Sequence, residues 1–151
     1  MGNICRSPSA EAVMNAKLKA ANLQDKIITD SAGIIGWHSG EPADHRMKSH
    51  AIKRGYDLTS ISRQFNPEID FDKFDYIIGM DHENMRDLRG MDPDQKYKNK
   101  IFLMTGFCQS IPAEVVPDPY YGGSSGFETV LDILDDACDG LLEHIKNNSE
   151  E

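Results

Sequence analysis

The sequence predicts an α/β fold with a parallel sheet, and three observations carry that reading. Short apolar runs alternate with segments of helical periodicity, the order expected when helices cross over a sheet. The run Tyr76-Ile77-Ile78-Gly79-Met80 has little polar character, as in strands covered on both faces. No internal repeat or low-complexity tract interrupts the alternation. The 151 residues, 39% hydrophobic and 27% charged with a mean hydropathy of -0.51, have the length of about one domain and a globular composition.

The elements follow in chain order. From Ser7 to about Ala21, the residues Ala10, Val13, Met14, Leu18 and Ala21 recur at helical spacing, with Pro8 at the first helical position and Glu11 in the first turn. Lys26 to Ile28, continuing to Ser31, Ala32 and Gly33, reads as a short strand. It runs into a loop from Gly33 to Asp44 that holds the only tryptophan, Trp37. A second helix spans about Asp44 to Arg54 and stops at Gly55. Tyr76 to Met80 is a strand, and Asp81 is the N-cap of a helix through Leu88. Ile101 to Met104 is a further strand. The prolines and glycines of Val115 to Gly123 exclude a helix there. Phe127, Val130, Leu131, Leu134, Cys138, Leu141, Leu142 and Ile145 mark one face of a last helix, with Asp132, Asp135, Asp136 and Asp139 on its wet side. Each such apolar side chain contributes about 1.5–3 kcal/mol when fully buried, so this helix anchors the core. The reading makes residues 1–146 one domain and 147–151 a disordered tail.

Twenty-five acidic residues against 16 basic ones, a formal net charge of -9, argue against a non-specific grip on nucleic acid or an anionic membrane. No apolar run reaches the ~18–20 residues of a bilayer span, and no basic-then-apolar leader opens the chain. Cys5, Cys108 and Cys138 are odd in number and lack a C-x-x-C pair, which fits reduced thiols in a cytoplasmic protein. His38, His45, His50, His82 and His144 have no ligand spacing, and the reading calls for no metal and no cofactor.

Gly2-Asn3-Ile4-Cys5-Arg6-Ser7-Pro8 opening a helix has the parts of a phosphate cradle. It offers a glycine for close backbone approach, successive N–H groups at the positive helix end, and an arginine for bidentate contact. The residues alone fit equally an ordinary N-terminus in which Ser7 caps the helix and Arg6 is solvated.

The run Met1-Gly2-Asn3-Ile4-Cys5-Arg6-Ser7-Pro8 resembles the low molecular weight protein tyrosine phosphatase signature C-x-G-N-x-C-R-S-P from its second position onward. The resemblance continues through Asp30-Ser31-Ala32-Gly33, Trp37, Phe74-Asp75-Tyr76-Ile77, Met80-Asp81 and Asp118-Pro119-Tyr120-Tyr121-Gly122 to Phe127-Glu128-Thr129-Val130. It implies a three-layer, flavodoxin-like parallel sheet of about four strands. It also implies hydrolysis of phosphotyrosine in a protein, or of a small aryl phosphate, through a phosphocysteine. Arg6 and Asp118 match the catalytic arginine and general acid. Gly2, Asn3, Ile4, Cys5, Arg6 and Ser7 match the loop that takes the phosphate or a phosphate-like anion, and Trp37, Tyr120 and Tyr121 match the walls around the substrate ring. Asn3, Ser7 and Ser31 match supporting residues, and Ser60 stands where many relatives carry a histidine. The family's nucleophile, the cysteine of C-x5-R, falls one position before Met1, together with the interior strand that ends in it. The expectation is a chain shortened at that strand and inactive as it stands. Two other readings are a relative that binds phosphate or phosphotyrosine without turnover, and an arsenate reductase on the same scaffold.

Overall fold

The computed structural model describes residues 5–36, 38–119 and 124–149. Five helices flank a parallel pair of strands: α1 (Arg6–Ala20), α2 (His45–Ile52), α3 (Pro67–Lys73), β1 (Ile77–Gly79), α4 (His82–Gly90), β2 (Ile101–Leu103) and α5 (Ser124–Ser149). Ile77, Ile78 and Gly79 pair with Ile101, Phe102 and Leu103 in parallel register.

The layers follow from the two-residue period of a strand. Ile77 joins Phe71, Leu88 and the half-buried Phe65, Phe74, Tyr97 and Ile101 in a cluster on the α3–α4 side, where Phe71 stacks on Tyr97 at 4.9 Å. Its neighbours Tyr76, Ile78 and Met80 belong to the other, larger cluster, with Val13, Leu18, Met47, Val130, Leu131 and Leu134 from α1, α2 and α5. The sheet is thus sandwiched between two helical layers, as the sequence predicts. The apolar face of α5 is the centre of the larger layer: Val130, Leu131, Leu134 and Ala137 are wholly buried. No helix among the described residues is long and apolar enough to cross a membrane.

Several local expectations are corrected. Helix α1 begins at Arg6, so Pro8 is its third residue and Glu11 lies beyond the first turn; an N–H is unpaired at that third position too, which is why the proline fits. Helix α2 is shorter than predicted, ending at Ile52, with Gly55 at φ +85° turning the chain. Helix α3 was not predicted, although Asn66 accepts from the N–H of Glu68 as N-cap and Pro67 opens the helix, both readable start signals. Residues 147–149 continue α5 instead of leaving it as a tail, and the Asn148 amide donates to the His144 carbonyl at 2.9 Å.

The predicted strand at Lys26–Ile28 is not one. Lys26 sits in a turn, and the segment to Ala32 is without a ladder partner among the described residues. A strand is defined by its pairing, and a cleft of about 780 Å³ separates this segment from β1. Ile28, which opens onto the cleft, is 79% exposed. Farther on, Gly33 is tied to Gln64 by a single parallel bridge. Among the described residues the ladder therefore holds two strands, where about three of the family's four are expected in this chain.

Candidate active site

Three segments meet at the carboxyl end of β1, where ligand loops gather in open α/β sheets. The first is the start of α1. Cys5 is its buried N-cap residue and offers no side-chain cap; instead the Ser9 hydroxyl donates to the Cys5 carbonyl at 2.6 Å. Arg6, the first helical residue, is only 6% exposed. The second is the junction of β1 with α4, where one carboxylate oxygen of Asp81 accepts from the Asn84 N–H at 2.8 Å and so caps α4. The third is the loop leading to Asp118, held to the sheet by the Val116 N–H donating to the Met80 carbonyl at 2.9 Å.

Arg6 joins all three. Its Nη1 donates to the other oxygen of Asp81 at 2.7 Å and to the Val116 carbonyl at 2.8 Å. A buried guanidinium is tolerated only when paired and hydrogen-bonded, and these two acceptors supply both. Burial would push the Asp81 carboxyl up, but the Asn84 N–H and the Arg6 guanidinium outweigh it and hold the group below the usual carboxylate range. Asp118 follows two residues after the anchored Val116 and is exposed.

Cys5 is not a reactive thiol. Burial, with the Asp44 and Asp118 carboxylates adding to it, pushes its pKa up to about 12, so it is protonated at neutral pH. Ser7 lies half-buried in the first turn of α1. Ser31 donates from its hydroxyl to Glu11 at 2.6 Å, and Ser60 donates to the same carboxylate, so the two serines meet on α1. Burial pushes the Glu11 carboxyl up despite these two donors. Gly2, Asn3, Ile4, Trp37, Tyr120 and Tyr121, six of the residues predicted for the site, lie outside the described residues.

Arg6, Ser7, Ser31 and Asp118 thus border one cleft, which Glu11 and Ile28 also line. Sequence reading missed two parts of the arrangement. Asp81 is legible as a helix cap, but its pairing with a residue 75 positions away leaves no local signal. Glu11 looks like any first-helix acid until Ser31 and Ser60 are brought to it. Chemically, the corner offers a buried guanidinium at a helix N-terminus, suited to a dianion, beside an exposed carboxyl able to exchange a proton.

Comparisons with known proteins agree with that chemistry. The model of the low molecular weight phosphotyrosine protein phosphatase family matches residues 1–151. A putative low molecular weight protein-tyrosine-phosphatase of Synechocystis is 46% identical over 142 residues, covering 94% of this chain and 90% of its own. The human low molecular weight phosphotyrosine protein phosphatase is 39% identical over 144 residues, covering 95% and 90%. A crystal structure of a protein tyrosine phosphatase from Entamoeba histolytica, with Hepes in its active site, superposes with a TM-score of 0.94 at 48% identity over 99% of this chain and 94% of that one.

Proposed function

The chain belongs to the low molecular weight phosphotyrosine protein phosphatase family, and from that premise we propose that it forms the anion-binding and proton-donating parts of a site hydrolysing phosphotyrosine in proteins. The observation that carries the reading is Arg6. It is buried at the helix N-terminus, anchored to Asp81, and tied through the Val116 carbonyl to the loop bearing Asp118.

The reaction proceeds in two displacements. A thiolate six positions before Arg6, contributed by a segment preceding Met1, attacks phosphorus as the bond to the tyrosyl oxygen breaks, and the Asp118 carboxyl gives its proton to that oxygen. Tyrosinate has a pKa near ~10, so the proton speeds its departure. Water then attacks the phosphocysteine, passing a proton to the Asp118 carboxylate, and the S–P bond breaks to return thiolate and phosphate. Arg6 and the N–H groups opening α1 stabilise the charge on the three equatorial oxygens in both steps. By the resemblance, Asn3 and Ser7 would shape the loop and Trp37, Tyr120 and Tyr121 would take the substrate ring, while Glu11 accepts from Ser31 and Ser60 on α1.

A strand bringing this thiolate would pair between residues 27–32 and β1, the segments that line opposite sides of the cleft. Neither buried cysteine substitutes for it, because burial pushes Cys5 and Cys138 each up to about 12. A relay of thiols of the kind arsenate reduction needs is disfavoured on the same ground. The test compares the 151-residue chain with one extended at its N-terminus by an apolar strand ending in cysteine, on p-nitrophenyl phosphate and a phosphotyrosine peptide. The extended chain is expected to turn over both and the shorter chain neither; full activity in the shorter chain, verified by intact mass, overturns the proposal.

A further inference from the structure

A second cavity, of about 440 Å³, lies at the other end of the sheet from Arg6. Ile101, which opens β2, is part of its wall, so it sits at the amino end of the strands, whereas Arg6 and Asp118 meet at the carboxyl end of β1. Arg89, from the last turn of α4, and Lys98, from the 3-10 turn Lys98–Lys100 that leads into β2, both line it. Among the described residues neither cation has an ion-pair or hydrogen-bond partner for its side chain. In this they differ from Arg6, Arg46, Arg54 and Arg63, each of which a carboxylate engages. The acidic residue of the wall, Asp92, is 7% exposed and serves its own turn: its carboxylate accepts from the N–H groups of Lys96 at 3.0 Å and Tyr97 at 2.9 Å. Gln95 and Asn99 add two side-chain amides that are likewise without a partner among the described residues.

We propose that this cavity is a binding site for a small phosphorylated polyol, a sugar phosphate in chemical class, with Arg89 and Lys98 on the phosphate and the amides of Gln95 and Asn99 on hydroxyl groups. A guanidinium fork and an ammonium together match the two charges of a phosphomonoester. An amide both donates and accepts, which is what a hydroxyl requires of its partner. The volume lies within the ~300–1,000 Å³ of small-molecule clefts and is far more than inorganic phosphate fills, so the ligand has a body beyond its anionic group. The wall is also fixed in advance. Gln95 stands at φ +56°, a left-handed conformation that residues other than glycine rarely adopt, and its N–H donates to the Asp92 carbonyl at 3.0 Å. With the Asp92 carboxylate holding the next two N–H groups, the turn is ordered without a ligand, which spares the ligand that cost on binding. The site needs neither a thiolate nor Arg6, and it stands whether or not the chain acts as a phosphatase.

The experiment titrates the 151-residue chain with glucose 6-phosphate, and with inorganic phosphate and glucose as probes that each carry half of its chemistry. It reads affinity by calorimetry and location by backbone amide shifts, because Arg6 is also placed to take a phosphate. Glucose 6-phosphate is expected to move the amides of residues 89–101 and to bind there about tenfold or more tightly than either half-probe. Arg89→Ala and Lys98→Ala should each weaken that binding about tenfold without lowering the melting temperature, since both side chains are exposed. Arg89→Lys, which keeps the charge and loses the fork, should recover only part of the loss. Arg6→Ala should leave the shifts at 89–101 in place. The proposal is overturned if those amides stay unmoved at saturation, if affinity survives both alanine substitutions, or if Arg6→Ala, still folded, abolishes the shifts. Inorganic phosphate binding at 89–101 as tightly as glucose 6-phosphate also overturns it, because Gln95 and Asn99 would then read nothing.

Discussion

Arg6 and Asp118 come to one corner from opposite ends of the chain, and the hydrogen bond from Arg6 to the Val116 carbonyl is the physical link between them. If Asp118 is the proton donor, its value depends on the leaving group. In the strand-extended protein, Asp118→Asn should lower turnover of aryl phosphates with poor leaving groups by about 10²–10⁴, and the loss should shrink as the leaving-group pKa falls. A loss that is the same across a series of aryl phosphates would make Asp118 a loop-shaping residue instead. Glu11 permits a stability test with a definite sign. Burial raises its carboxyl pKa above the unfolded value, so the folded protein binds a proton more readily than the unfolded chain does. That contribution favours folding at pH near ~4 and is lost as pH rises through the folded pKa. Glu11→Gln keeps an acceptor for Ser31 and removes the buried charge, so it should raise the melting temperature at pH 7 by about 2–4 °C, with the gain shrinking toward pH 4. An equal shift at both pH values would show that the charge is not the cause. At this scale the sequence was legible where the motif is local: Arg6 opens the first helix and Asp118 follows in the proline-rich loop, and both border the cleft. The sequence was silent at Asp81 and Glu11, whose partners are brought to them by the fold.

Among the elements, α5 carries the tightest constraint. Its Gly140 passes so close to the 3-10 turn at Met104–Phe107 that a Cβ there would stand 1.8 Å from the Phe107 carbonyl oxygen. Backbone cannot yield as a flexible side chain can. The helix-propensity gain of alanine over glycine is at most ~1 kcal/mol, whereas overpacking costs roughly 1–3 kcal/mol or more. Gly140→Ala should therefore destabilise the protein by about 2 kcal/mol or more in urea denaturation. Gly90, in the last turn of α4 with nothing within 4 Å of its added Cβ, is the control, and Gly90→Ala should be neutral or stabilising. Equal effects at the two sites would show that α5 has room to shift. Helices α1, α4 and α5 were legible because their apolar periodicity or caps are strong and local. Helix α3 was overlooked because its seven residues are too few to display a period, even though Asn66 and Pro67 announce its start. The strand expected at Lys26–Ile28 and on to Gly33 rests on a local residue pattern, which says nothing about whether a neighbour is present to pair with it.

For the whole molecule, the cleft of about 780 Å³ between that segment and β1 decides the behaviour of the chain. The cleft is open to solvent, with Ile28 79% exposed at its edge, so in the chain by itself it is wet. Wetting exposes apolar side chains such as Ile28 together with two backbone edges, the arrangement that recruits further strands. The two segments flanking the cleft can both be paired by one parallel strand, and the same strand would deliver the thiolate to Arg6, so stability and catalysis share one requirement. The 151-residue chain is therefore expected to associate on a sizing column, to bind an apolar dye, and to melt well below the extended protein. Adding the strand with serine in place of the cysteine should restore a monomer and the higher melting temperature without restoring turnover, because pairing needs the backbone and only chemistry needs the sulfur. Adding a strand with polar side chains at the positions that face the α1–α5 layer should do neither, since it buries polar groups against that layer. A 151-residue chain that is monomeric, dye-silent and as heat-resistant as its extended form would show that the cleft closes by rearrangement of the existing chain, and would separate the fold's stability from the strand that completes its site.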